Sequence, residues 1–183
     1  MEQKSKPPRI KIISVGNMKV GKSCLIKKYC EKNRSVSNYI PTIGVDYGVK
    51  ATTTKFNGGR ISEVKIDFFD FSGDSNYSEV RNEFYDNVDG VIFMYDVTNK
   101  ESFTALRSWL KEAGKYGVSH SNATIAVVGN KIDQYPRAVT ENDGAKFAAE
   151  NNAAYFETSA KTVATIDDLF DYLISSKFDD SKR

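Results

Sequence analysis

Cysteine and histidine are scarce in this 183-residue chain, with Cys24 and Cys30 the only examples of the first and His120 of the second. Two cysteines on one predicted helix, with no second pair, build neither a disulfide framework nor a zinc site, and point to a reducing, intracellular setting. Long apolar runs are missing too. Nothing approaches the roughly 20 residues that span a bilayer, and the N-terminus lacks the apolar core of a signal peptide. A soluble protein of the cytoplasm is expected, with the nucleus also open to it. Neither sign of charge dominates: 26 basic residues, dispersed along the chain, stand against 24 acidic ones. Bulk attraction to nucleic acid or to an acidic membrane is therefore not expected. The chain opens Met-Glu rather than Met-Gly, and its tail, "SSKFDDSKR", holds no cysteine, so no standard lipid anchor is expected. Internal repeats, low-complexity stretches and linkers are likewise absent.

What is present is ordinary globular material, 40% hydrophobic and 27% charged, in a chain long enough to bury one core. A single domain over residues 9–178 is expected, between a flexible N-terminal tail, 1–8, and a short C-terminal tail, 179–183. Apolar runs alternate with helical-period segments from end to end. That alternation predicts a three-layer α/β fold, a six-stranded, mostly parallel sheet with helices on both faces. The strands read "RIKIISV", "VDYGVKATTTKF", "ISEVKIDFFDF", "GVIFMYDV", "TIAVVGN" and "AAYFETS". The turn signal "NGG" between the second and third makes the second an antiparallel edge strand. Helices are predicted over Gly21–Lys32, Tyr77–Asn87, Ser102–Tyr116, Glu141–Asn152 and Thr165–Phe178. Thr140 and Thr165 fall at N-cap positions, and Asp143, Asp167 and Asp168 in first turns, where carboxylates suit the helix dipole. Trp109 with Phe103, Leu106 and Leu110 forms a core-facing stripe.

Between the first strand and first helix lies "GNMKVGKS", Gly16 to Ser23, a G-x-x-x-x-G-K-[ST] loop in the strand-to-helix setting that motif requires. Its glycines let backbone N–H groups wrap a phosphate at the positive end of a helix. Lys22 reaches the β- and γ-phosphates, and Ser23 offers a hydroxyl to magnesium. This loop alone leaves kinases, ATPases and GTPases open. "NKID", Asn130 to Asp133, follows the fifth strand: a carboxylate at Asp133 accepts two N–H bonds from guanine, which adenine does not offer, while the Lys131 stem lies along the base plane. "TSAK", Thr158 to Lys161, is a turn suited to presenting N–H groups to the guanine oxygen. Either tetrapeptide alone is a weak signal.

The order of the phosphate loop, "PTIG", "DFSG", "NKID" and "TSAK" resembles the Ras superfamily of small GTPases over roughly Arg9 to Phe178. "IGVDYGVK" and "YDVTNKESF" look Rab-like. "MKVGKSCLIKKYCEK", "TIGVDYGV" and "EVRNEFY" resemble the Rab-like group that often carries a C-terminal J domain. The His-Pro-Asp signature of a J domain is missing, since His120 precedes serine. The resemblance implies a GTP/GDP switch with Mg²⁺, acting as a monomer that meets effector and regulator proteins through its two switch surfaces. Thr42 corresponds to the switch I threonine, which binds magnesium and senses the γ-phosphate. Asp70 holds magnesium through water, and the Gly73 N–H meets the γ-phosphate. The nucleotide contacts expected are Gly16, Met18, Lys19, Val20, Gly21, Lys22, Ser23, Cys24, Arg34, Tyr39, Thr42, Gly73, Asn130, Lys131, Asp133, Ser159, Ala160 and Lys161. The residues expected to serve hydrolysis are Lys22, Thr42, Gly73 and Asp74.

Three positions depart from that family's pattern. Asp74 stands where a glutamine usually orients the attacking water; it is shorter, and its charge repels a γ-phosphate. Met18 replaces a common glycine and crowds the space an arginine finger needs. Near the usual guanine-flanking phenylalanine stands Arg34 or Ser35, so either Arg34 stacks on the base or the nucleotide exchanges faster. Slow GTP hydrolysis is expected. A GTP-bound interaction module without hydrolysis is the alternative, and a small-molecule kinase, in which "NKID" and "TSAK" have no role, a remote one.

Overall fold

A computed structural model describes residues 6–32, 39–55, 61–159, 161 and 165–178. Six strands form one sheet: β1 (Arg9–Val15), β2 (Val45–Lys55), β3 (Ile61–Phe71), β4 (Gly90–Asp96), β5 (Thr124–Asn130) and β6 (Ala154–Thr158), in the order β2-β3-β1-β4-β5-β6. Every pairing is parallel except β2 with β3, which runs antiparallel from Val45↔Phe71 to Lys55↔Ile61. The expected edge strand is therefore present, while the "NGG" turn and Phe56 lie outside the described residues.

Alternation along the strands divides the core into two layers. On one face Ile10, Ile12, Phe68, Ile92 and Met94 pack under helices α1 (Lys22–Cys30) and α6 (Ile166–Lys177), through Leu25, Tyr29, Leu169 and Phe170. On the other, Ile13, Val15, Phe93 and Val127 pack under α4 (Leu106–Lys115) and α5 (Glu141–Glu150), through Leu106, Trp109 and Phe147. Period-2 strands with both faces buried are what a parallel sheet requires. Because all parallel strands point the same way, the loops after β1, β3, β4, β5 and β6 gather along one edge of the sheet. The order reverses at β1, between β3 and β4, and open α/β sheets bind ligands at such a reversal.

Three segments differ from expectation. The segment predicted as one helix over 77–87 is a 3₁₀ turn, Ser75–Tyr77, running into a five-residue helix, α2 (Ser78–Asn82). It stops early because the following residues Phe84, Tyr85 and Val88 turn into the core rather than continue along a surface face. The helix predicted from Ser102 begins instead at Lys100 as α3 (Lys100–Thr104), where the Asn99 side chain accepts the Ser102 N–H at 2.9 Å. It meets α4 at Ala105, across which the Ala105 N–H still reaches the Glu101 carbonyl. Thr140 caps α5 in a full capping box with Asp143, whereas Thr165 takes left-handed backbone (φ 57°) and donates its hydroxyl to the Glu157 carbonyl rather than to its own helix. Cys24 and Cys30 are free and half-buried. No helix among the described residues is long and apolar enough to cross a membrane.

Phe170, fully buried, stacks on Tyr29 (ring centres 3.9 Å apart) and meets Phe68 edge-on at 5.5 Å. Phe170→Ala is expected to lower the unfolding free energy by about 3–5 kcal/mol, measured by urea titration, since the cavity lies between two helices and a sheet that cannot collapse onto it.

Candidate functional site

The loop from Gly16 to Gly21 is shaped by what its backbone must avoid. Gly16 has φ 143°, and a Cβ there would lie 2.2 Å from the Met94 carbonyl oxygen; Gly21 has φ 105°, and a Cβ would lie 2.2 Å from the Asn130 amide nitrogen. Only glycine tolerates both the angles and the crowding. Lys19 also takes a left-handed angle, φ 65°. α1 begins directly after this loop, with Gly21 at its N-cap and no acidic residue in its first turn, so its free N–H groups face the loop. Lys22 folds back into the loop, its ammonium donating to the carbonyls of Gly16 (2.8 Å) and Asn17 (3.0 Å). Burial pushes this ammonium down to about 8, against the pull of Asp70. A cation so placed is poised for an anionic ligand.

Three oxygen donors from three segments meet beside it. Asp70, 4% exposed at the end of β3, accepts a hydrogen bond from Ser14 at 2.7 Å, and its other oxygen accepts from Ser23 and, at 3.4 Å, from Thr42. The Ser23 and Thr42 hydroxyls are themselves 3.1 Å apart. Burial raises the Asp70 carboxyl, opposed by Lys22 and by the Ser23 and Ser14 hydroxyls. Two hydroxyls and one carboxylate are hard oxygen donors of the kind that suit Mg²⁺ completed by phosphate oxygens and water. Among the described residues no cluster of three or more His, Cys, Asp or Glu side chains offers another metal site.

Behind Asp70 the chain presses against the phosphate loop. A Cβ on Gly73 would lie 2.3 Å from the Met18 nitrogen and 2.7 Å from the Gly16 carbonyl oxygen, so glycine is obligatory at this approach. The Asp74 carboxylate accepts the Asn76 N–H at 2.9 Å and so caps the 3₁₀ turn. Arg81, 2% exposed, spans the segment from below: it donates to the carbonyls of Ser72 (3.2 Å) and Asp74 (2.6 Å) and forms a two-point pair with Glu112, both bonds 3.0 Å. Removing one partner of such a buried pair costs about 3–5 kcal/mol. The guanidinium lies 4.7 Å from the Trp109 ring centre, and the indole N–H donates to the Asn17 side chain at 2.9 Å. Trp109 therefore belongs to the core, as its spacing implies, and to the site as well.

At the far end, Asn130 is held by two buried bonds: its amide N–H donates to the Val20 carbonyl (2.8 Å) and its oxygen accepts from Thr158 (3.1 Å). It braces the phosphate loop, β5 and β6 together, and also lines the cleft. Lys131, with φ 67°, places its ammonium 2.6 Å from Asp96, which lies at the end of β4. Asp133 accepts a hydrogen bond from Ser159 at 2.6 Å. Arg137 joins Glu157 in a two-point pair, one bond 3.0 Å, that holds the loop after β5 onto β6.

One cleft of about 790 Å³ connects these parts. Of the described residues assigned from sequence, Met18, Lys19, Gly21, Lys22, Ser23, Cys24, Tyr39, Thr42, Gly73, Asp74, Asn130, Lys131, Asp133 and Lys161 line it, while Gly16, Val20, Asp70 and Ser159 stand behind the wall. Arg34 and Ala160 lie outside the described residues. Sequence reading missed Lys27, Ile40, Pro41, Ile43, Ser72, Tyr77 and Gln134 in the lining, and the supports Asn17, Arg81, Asp96, Arg137 and Glu157. Asn17, Arg81 and Asp96 fall inside stretches quoted for the resemblance, but at positions to which no motif assigns a role.

A cleft that runs from a phosphate loop, past a hard-oxygen cluster, to a carboxylate at the end of β5 invites comparison with known proteins. A family model described as the Ras family matches residues 11–178. DnaJ homolog subfamily C member 27 of Bos taurus is 47% identical over 174 residues, covering 92% of this chain and 61% of that protein. The Homo sapiens protein of the same name is 48% identical over 167 residues, covering 88% and 59%, and that of Danio rerio 43% over 178 residues, covering 95% and 63%. The chain thus spans about three fifths of the length of the curated relatives it matches. On the extent of the family match and the level of these identities, the chain belongs to the Ras family and is a small GTPase of the guanine-nucleotide-binding kind.

Proposed function

We propose that residues 9–178 form a Rab-like molecular switch that binds GTP or GDP with Mg²⁺ and hydrolyses GTP slowly. One observation carries this reading: Lys22, the Ser23–Thr42–Asp70 oxygens and Asp133 line or back a single cleft in the order in which a nucleotide presents its phosphates and base. Lys22 and the N–H groups of the loop bind the phosphates. Ser23, Thr42 and, through water, Asp70 would hold Mg²⁺, which supplies charge neutralisation at the β- and γ-phosphates. Asp133, oriented by Ser159, accepts the two N–H groups of guanine, and Lys131, steadied by Asp96, lies along the base.

Slow hydrolysis rests on Asp74 and Met18. The Asp74 carboxylate is engaged by the Asn76 N–H, and is anionic besides, so it is unsuited to orienting water beside a γ-phosphate. Met18, 49% exposed at the cleft wall, occupies space that a charge-stabilising arginine from a partner would need. Exposed apolar side chains beside Thr42 of switch I, Ile40 (79%) and Ile43 (78%), and Val80, just after residues 70–77 that the family resemblance makes switch II, offer a surface to effector and regulator proteins. A GTP-bound interaction module that does not hydrolyse is the second reading, favoured by the same Asp74 geometry.

Nucleotide extracted from the purified protein is expected to be a guanine nucleotide, predominantly GTP; ATP would overturn both readings. Single-turnover hydrolysis is expected to accelerate about tenfold or more in Asp74→Gln, and a wild-type rate equal to that of the variant would refute the role given to Asp74. Asp133→Asn should weaken GDP binding by at least about a hundredfold in a fluorescent-nucleotide displacement assay, because the carboxylate's two charge-assisted bonds are lost.

A further inference from the structure

The phosphate loop and the start of switch II touch directly, at Gly73 against Gly16–Met18, and both sides of that contact are tied to one stack of two side chains. Asn17, inside the loop, is held by the Trp109 indole N–H at 2.9 Å. The residues on either side of Gly73 are held by Arg81, through the carbonyls of Ser72 and Asp74. Arg81 lies on the Trp109 ring, and Glu112, one turn further along α4, neutralises it at two points while also accepting the Tyr85 hydroxyl at 3.0 Å. The contacts form a closed ring: Asn17, Trp109, Arg81, Ser72–Asp74, and back to Asn17 through Gly73. Every donor on the guanidinium face toward switch II is spent on backbone, so residues 72–74 cannot leave the loop unless a buried cation loses its partners.

We infer that Arg81 and Trp109 are positioning residues which lock the Gly73 N–H against the phosphate loop whichever nucleotide is bound. This rests on the switch reading given above. On that reading the Gly73 N–H meets the γ-phosphate, so a locked Gly73 is organised in advance for the triphosphate and adds nothing to binding of the diphosphate. Nucleotide-dependent rearrangement then falls to the Thr42 side of the cleft, and the strand-proximal part of switch II acts as a fixed wall.

The test compares wild type with Arg81→Lys, which keeps the charge but cannot span two carbonyls and a carboxylate, and with Trp109→Phe, which keeps a ring but loses the bond to Asn17. Dissociation of a GTP analogue with a non-hydrolysable γ-phosphate is expected to speed about tenfold in Arg81→Lys and about threefold in Trp109→Phe, while GDP dissociation changes less than about twofold. Amide exchange over residues 72–77 should be slow in both nucleotide forms of the wild type and fast in both forms of Arg81→Lys. Equal acceleration for the two nucleotides would reduce the ring to a purely structural role and overturn the inference, as would wild-type exchange that is slow only with the triphosphate analogue. If Arg81→Lys does not fold, Glu112→Gln, which keeps shape and removes the neutralising charge, carries the same comparison. A wild-type chain that binds no guanine nucleotide would sink the switch reading instead, and the lock would then stand or fall on whether Arg81→Lys exchanges faster over 72–77.

Discussion

The register of β1 against β3 governs this molecule. Ser14 lies opposite Asp70, so the two strands end at the same height, and the Ser14 hydroxyl donates to the Asp70 carboxylate across the pair. One residue of slip would turn Asp70 to the opposite face of the sheet. With the register as it is, the loop after β1 and the segment after β3 emerge side by side, and Lys22, Ser23 and Asp70 meet without any long-range loop having to find its partner. The energetically awkward centre, a buried ammonium close to a buried carboxylate, is tolerable because each charge is hydrogen-bonded by rigid neighbours rather than by mobile side chains.

The other end of the cleft is built by a different device. Asn130 bridges the phosphate loop to β6, so the two ends of the cleft share one buried amide. The Gly21 approach to that amide explains why the second glycine of the loop is as constrained as the first. Arg137 with Glu157 then fastens the loop carrying Lys131 and Asp133 to the strand that carries Thr158. Each recognition group thus stands on a support one bond away, and the supports belong to regular elements.

Much of this was legible in sequence where chemistry demands a motif. The phosphate loop is specified by its spacing and Asp133 by its chemistry, whereas Thr42, Asp70 and Gly73 follow from the family resemblance; β1, β3 and β5 match their predicted runs at both ends, and β2 and β4 at their starts. The rest depends on tertiary contacts that no local pattern encodes. Residues 77–87 have helical periodicity, yet the pull of Phe84 and Tyr85 into the core outweighs it. Thr165 has the residue type of an N-cap, but the Glu157 carbonyl competes successfully for its hydroxyl. Asn130's second task, bracing the phosphate loop to β6, has no sequence signal. Arg81, read from its charge alone, belongs on the surface; only its four acceptors, assembled from switch II and α4, let it be buried.

Trp109 has one more consequence. It is the sole tryptophan of the chain, and its indole N–H is bonded to the phosphate loop while its ring carries the Arg81 guanidinium. The protein's tryptophan fluorescence therefore originates at a single point, bonded to Asn17 of the phosphate loop and stacked under Arg81. Its emission senses the phosphate loop and the core layer under the sheet together, and ligand-induced shifts in that signal need no attached dye.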